Sequence, residues 1–187
     1  MRWDGLFADL EAQLSQAAWR EIETDAAELT RGEMAAVHLV DRLRGAVGQE
    51  VVLRLPGEAR VEMTVSTVGP AWVGGVDRAG GVLVPLAAVR TVDHRLPVVR
   101  PERSASARAM GIASVYRALA RARAAVSILG CDGHQLAEGT IDRVGADHLD
   151  IAVHARDELR RQRALRGVTV VAFEAIALVR SAQAPEL

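Results

Sequence analysis

Asp132-Gly133-His134-Gln135-Leu136-Ala137-Glu138-Gly139-Thr140-Ile141-Asp142-Arg143-Val144-Gly145-Ala146-Asp147-His148-Leu149-Asp150-Ile151 is the stretch on which the fold turns. Asp132-Gly133 reads as a tight turn, Leu136 to Ile141 as a strand, and Val144-Gly145 as a second turn. Leu149, Ile151 and Val153 then alternate with polar neighbours, which is the period of a strand with one buried face. Outward from this stretch, Val126 to Ile128 form a strand before it. Thr169-Val170-Val171, Ile176 and Val179 close the unit after it.

The same pattern precedes it. Val51, Leu53 and Leu55 alternate, Pro56-Gly57 turns the chain, and Val61, Met63 and Val65 alternate again. Trp72, Val73 and Val76 lead to a turn at Asp77-Arg78-Ala79-Gly80-Gly81, then Val82-Leu83-Val84, Val89 and Val92. Helical spacing precedes each strand set. Residues 4–46 carry Leu6, Phe7, Leu10, Leu14, Ala17, Ala18, Ile22 and Leu29 on one stripe, with Asp4 as cap. Gly32 interrupts this stripe, so a second helix runs from Glu33 to Ala46 with Val37, Val40 and Leu43 apolar. Residues 106–123, with Ile112, Val115, Tyr116 and Leu119, read as one further helix after a Pro- and Ser-bearing linker.

The halves superpose by counting. The shift that carries Gly57 onto Gly133 also brings Leu39, Val40 and Leu43 onto Val115, Tyr116 and Leu119. It brings Leu53 onto Leu129, Val65 onto Ile141, Val68-Gly69 onto Val144-Gly145 and Val73 onto Leu149 as well. Once an insertion in the second half is allowed, Leu86, Ala88, Val89 and Val92 fall on Phe173, Ala175, Ile176 and Val179. That one insertion, near 156–167 and rich in Arg, accounts for the difference between the halves. The expected fold class is therefore α+β: a long N-terminal helix (1–32), a first helix-plus-five-stranded small barrel (33–93), a linker (94–105) and a second such unit (106–181).

Composition sets the class. Half of the 187 residues are apolar, aromatics make up 3%, and all 23 basic residues are Arg. That bias fits a high-GC genome such as an actinobacterium. One cysteine, Cys131, excludes an internal disulfide and fits a reducing compartment. The first ten residues carry Asp4 and Asp9 and no continuous apolar run, so neither a signal peptide nor a membrane span is expected, and the cytoplasm is the expected location. The net charge of −1 is uneven: residues 1–36 sum to −5, 94–124 to +6 and 125–155 to −4. Such asymmetry marks either an interaction surface or charge pairing within an oligomer.

The stretch 132–149 resembles the first Sm motif, in which a turn glycine, a strand with a second glycine and a following strand build three bent strands. Leu83-Val84-Pro85-Leu86-Ala87-Ala88-Val89-Arg90-Thr91-Val92 resembles the closing strands of the bacterial RNA chaperone Hfq. The resemblance covers about 33–93 and 106–180. It implies tandem Sm-like (SH3-like) small barrels, and RNA binding and edge-to-edge oligomerisation with them. The chain also resembles an actinobacterial family with a "VGAD…VP…A…VR" pattern, commonly labelled Fis-family regulators, which brings no established activity. Several RNA-contact residues of Sm proteins are missing. Leu149 and Asp150 stand where the usual Asn would be, and Pro85-Leu86 and Ala172-Phe173 stand where Hfq has Lys-His.

An RNA reading therefore rests on Arg placement. The candidates are Arg108, Arg117, Arg121 and Arg123 around the second helix, and Arg156, Arg160, Arg161, Arg163 and Arg166 in the insertion. Phosphates need only placed positive charge and donors. The competing expectation is a solvated face, or pairing with the acidic N-terminal helix. Arg108 to Leu119 also echoes the helix-turn-helix of Fis-like regulators, but Tyr116 follows Gly111 by five residues, about two too few for the turn. No catalytic residues, cofactor or metal are expected. Cys131-x-x-His134 with His148 and His154 is a weak ligand set, and Asp142, Asp147 and Asp150 fall at outward strand positions. Gly74-Gly75 and Gly80-Gly81 are turn residues with no Lys or helix start after them. The expected function is a non-enzymatic Sm-like binding protein with RNA as leading ligand. The alternatives are an oligomerising protein–protein scaffold, through the helix or the barrel edge strands, and a Fis-like DNA-binding regulator.

Overall fold

The computed structural model describes Gly32 and residues 34–96, 98–153 and 167–182. The chain divides into two units, Met1–His38 and Leu39–Leu187, and every strand among the described residues lies in the second. That unit runs α1 (Leu39–Gly45), β1 (Glu50–Arg54), β2 (Arg60–Val68), β3 (Trp72–Asp77), β4 (Gly80–Pro85), a 3-10 turn at Leu86–Ala88 and β5 (Thr91–Val92). It continues with α2 (Ala105–Ala109), α3 (Ile112–Arg121), β6 (Ala125–Gly130), β7 (Gln135–Val144), β8 (His148–Val153), β9 (Gly167–Ala172), a 3-10 turn at Phe173–Ala175 and β10 (Ile176–Ser181).

The strands follow from alternation. In β1 and β2, Val51, Leu53, Val61, Met63 and Val65 are buried while Glu50, Arg54, Glu62 and Thr64 face solvent. The hairpin between them needs the left-handed conformation at Gly57 (φ 66°), and the β6–β7 hairpin needs it at Gly133 (φ 83°).

The ten strands make one antiparallel sheet in the order β5-β1-β2-β3-β4-β10-β6-β7-β8-β9. This overturns the expected pair of separate five-stranded barrels and with it the α+β description. A five-stranded half closes only if its two outer strands pair with each other. Here β5 is two residues long and pairs only with β1, while the outer edge of β4 is taken by β10, with Val179 opposite Leu83 and Ser181 opposite Gly81. Pairing across the halves thus replaces closure within them, and among the described residues the sheet is open at β5 and β9. The expected N-terminal helix over 1–32 and the Arg-rich insertion lie outside the described residues, apart from Gly32 and Gly167.

Several details of register recur in the two halves at the shift that relates Gly57 to Gly133 or, past the insertion, at the shift that relates Leu86 to Phe173. The β2–β3 ladder shifts between Val65 and Thr67, and the β7–β8 ladder between Ile141 and Arg143. The Gly69 amide donates to the Trp72 carbonyl, and the Gly145 amide to the His148 carbonyl, both at 2.9 Å. Leu86 N–H donates to the Ala71 carbonyl (2.9 Å) as Phe173 N–H does to that of Asp147 (2.7 Å).

Two sequence expectations change in detail. Leu129 does not stand where Leu53 does: an irregularity between Ile128 and Leu129 puts Ile128, fully buried, in the phase of Leu53. The expected single helix over 106–123 is two, broken at Met110-Gly111, with Gly111 as cap of α3.

Packing forms two apolar clusters. Leu43, Val51, Leu53, Met63 and Val84 centre the first; Val115, Tyr116, Leu119, Ile128 and Ile151 centre the second. Two first-half residues, Trp72 and Leu83, are buried in the second cluster, and Leu178 of β10 is buried in the first. Fully burying one such side chain contributes about 1.5–3 kcal/mol, so this exchange ties the halves together.

Candidate functional site: the sheet edges and the arginine face

The β4–β10 seam shows what this chain does with a sheet edge. Backbone pairing is antiparallel over Leu83–Val179 to Gly81–Ser181. The Trp72 indole Nε1–H crosses the seam and donates to the Met110 carbonyl at 2.9 Å, which the break between α2 and α3 leaves free. On the other side, Arg180 Nε donates to Asp77 Oδ2 at 3.0 Å, joining β10 to β3 over β4. The sheet curls enough that the β1–β2 and β6–β7 hairpin tips meet, and a Cβ at Gly57 would run into the Gly133 backbone.

Among the described residues, the two ends of the sheet have no such cover, and no strand pairs with the outer edge of β9 or β5. β9 reads Gly-Val-Thr-Val-Val-Ala, without a charge or a proline, the features with which exposed edges usually prevent pairing. Val168 and Val170 are 62% and 64% exposed on it. Because Phe173 N–H bonds to the Asp147 carbonyl, the alternation of an antiparallel ladder turns the backbone groups of Val168 and Val170 away from β8.

Next to this edge, the His148 ring lies over Gly145 as the Trp72 ring lies over Gly69. Its Nδ1 is 2.8 Å from Asp147 Oδ1, and this hydrogen bond holds the Asp147 carboxyl below its ordinary range.

The expected arginines divide. Arg117 and Arg121 are exposed on α3, one turn apart, opposite its buried face of Val115, Tyr116 and Leu119. Arg123 is exposed just beyond the helix in the left-handed conformation (φ 51°). None of these three forms an ion pair among the described residues. Arg108 is on α2 and donates to the Glu102 carbonyl at 3.0 Å. Arg156, Arg160, Arg161, Arg163 and Arg166 lie outside the described residues. Sequence reasoning missed the seam role of Trp72 and the exposure of Val170 because both read as ordinary strand positions, and it made no reading of Val168.

Other places offer less chemistry. A groove of about 500 Å³ is lined by Glu50, Arg60, Glu62, Asp77, Arg78 and Arg180, whose charges pair with one another at Arg60–Glu62 and Arg180–Asp77. Tyr116 is a core residue against Phe173, and burial pushes its phenol far above the usual range. Cys131 and His134 are not brought to a third ligand, His154 lies outside the described residues, and no three ligand-type side chains converge among those described. No described helix is long and apolar enough to cross a membrane. The two-residue break at Met110-Gly111 is shorter than the three to four residues of a helix-turn-helix.

No family model, curated protein or solved structure matches this chain.

Proposed function

We propose that this chain is a non-enzymatic assembly module, composed of two copies of one unit, that acts by accepting a polypeptide strand on the edge of its sheet. The observation that carries this reading is β9, an uncharged edge with outward backbone groups and exposed Val168 and Val170. Main-chain hydrogen bonds along such an edge supply affinity, and alternate side chains supply selectivity. The matching registers of the two halves, including both bulges, support the duplicated unit.

The test is the size of the particle that holds the chain in its native cell extract. Wild type is expected well above the 20.0 kDa of one chain, and Val168→Lys with Val170→Lys is expected to bring it down to that mass. Wild type running at 20.0 kDa contradicts the reading.

A second reading, nucleic-acid binding, is favoured by the exposed Arg117, Arg121 and Arg123, which form no ion pair among the described residues. Cations without an intramolecular partner are available for phosphates. Nucleic acid that co-purifies, is stripped by salt, and is lost when these three are changed to Glu would support it. Nucleic acid retained equally by that variant removes this face from consideration.

A further inference from the structure

We infer that the occupant of the β9 edge is the β5 edge of a second copy of this chain, joined head to tail in the register of the internal β4–β10 seam. This rests on the binding-edge reading above and names its partner.

The seam is a heterologous contact, since two different edges meet, and it leaves one edge of each kind unused. β4 corresponds in position to β9, and β10 to β5. Leu83 of β4 answers to Val170, and Gly81 to Val168; Val179 of β10 answers to Val92, and Ser181 to His94. The backbone groups agree. Asp93 N–H bonds to the Val52 carbonyl, so those of Val92 and His94 point away from β1, as those of Val168 and Val170 point away from β8. Antiparallel pairing in the seam's register sets Val92 opposite Val170 and His94 opposite Val168.

Exposure marks the same places at both ends. Leu83, covered by the second half, is 2% exposed, whereas Val170 is 64% exposed. Trp72, covered by the second half, is fully buried, whereas 44% of the His148 side chain is exposed. At the other end, Val115 of α3 is fully buried in the cluster that holds Trp72 and Leu83, while Leu39, which answers to it in α1, is 40% exposed. Each of these residues that the seam covers has a bare counterpart at an end of the sheet.

The seam between copies is the weaker of the two. The ion pair Asp77–Arg180 has Val153 and Asp93 in its place, and Asp93 is already paired with Arg54 at 2.7 Å. Thr91 replaces the buried Leu178. Assembly therefore follows concentration, and a head-to-tail contact closes into a ring or continues as a filament.

The test uses the full chain with Cys131→Ser, to remove the sole thiol, carrying either Val170→Cys or Val92→Cys. Oxidising a mixture of the two proteins is expected to give the mixed disulfide, with little product from either alone, and Val168→Lys is expected to abolish it. A Val170→Cys protein that links mainly to itself means edge meets like edge and overturns the inference. So does a wild type monomeric at every concentration with no mixed disulfide. In that case, a large particle in native extract that Val168→Lys with Val170→Lys dissolves leaves the binding edge standing with another protein on it. A 20.0 kDa species in extract as well ends both.

Discussion

Trp72 Nε1 donates a 2.9 Å hydrogen bond to the Met110 carbonyl across the seam, and its ring is completely buried among residues of the other half. The contact ties two five-stranded halves together. Trp72→Phe is expected to destabilise by about 1–3 kcal/mol, since it leaves the Met110 carbonyl without its donor. Trp72→Ala is expected to cost about 3–5 kcal/mol through the cavity as well. Urea unfolding followed by far-UV circular dichroism measures both. A change under about 0.5 kcal/mol for Trp72→Ala, the size of a surface substitution, contradicts the seam described here.

The meeting of the hairpin tips is separable from backbone strain. Gly48 (φ 83°) has open space where a Cβ would stand, so Gly48→Ala carries only the left-handed penalty of about 1–2 kcal/mol. Gly57→Ala and Gly133→Ala carry that penalty and a collision between backbones. Both are expected to destabilise more than Gly48→Ala in the same unfolding assay. Equal losses for all three would mean that the tips part freely.

Asp77 and Arg180 tie β3 to β10, and the Asp77 side chain is only 9% exposed. Asp77→Ala also removes the acceptor of the Ala79 amide. The expected loss is about 1–3 kcal/mol, below that of a fully buried pair because Arg180 is one-third exposed. A double-mutant cycle with Arg180→Gln is expected to give a coupling of at least about 0.5 kcal/mol, the low end for contacting residues. Strict additivity would show that the pair adds nothing to the seam.

Asp147 titrates below its ordinary value of 3.8, first because of the hydrogen bond from His148. A carboxyl depressed in the folded state stabilises above its unfolded pKa, and that contribution is lost as pH falls through the folded value, here below about pH 4. His148→Ala is expected to return Asp147 toward 3.8, read from its carboxyl carbon shift across the acid range. An unmoved titration would show that His148 is not the cause.

Much of the sheet is legible along the sequence because its determinants are local. Gly57 and Gly133 mark hairpins, and Val61, Met63 and Val65 alternate as a half-buried strand must. The pairing of β4 with β10 is not legible in this way, since it joins segments far apart along the chain and rests on edges that any strand of the same composition offers. Composition also misleads at Val170, which reads as part of a closing strand of the unit and is 64% exposed. At Leu129 a single irregularity reverses the expected phase, because side chains change face with every residue of a strand. The nine candidate arginines show the same limit. Sequence finds the charges, whereas only the fold tells that Arg117 and Arg121 share the solvent face of α3 without partners among the described residues.

The most direct test of the assembly reading is sedimentation equilibrium of the purified chain over a wide range of concentration, beside Val168→Lys with Val170→Lys. Both positions are exposed, so the variant is expected to keep the wild-type unfolding midpoint to within a surface substitution. Wild type is predicted to rise from 20.0 kDa to multiples of it as concentration increases, while the variant stays at 20.0 kDa throughout. Wild type that remains at 20.0 kDa at the highest concentration, or a variant that assembles as wild type does, would contradict assembly of this chain through the edge of β9.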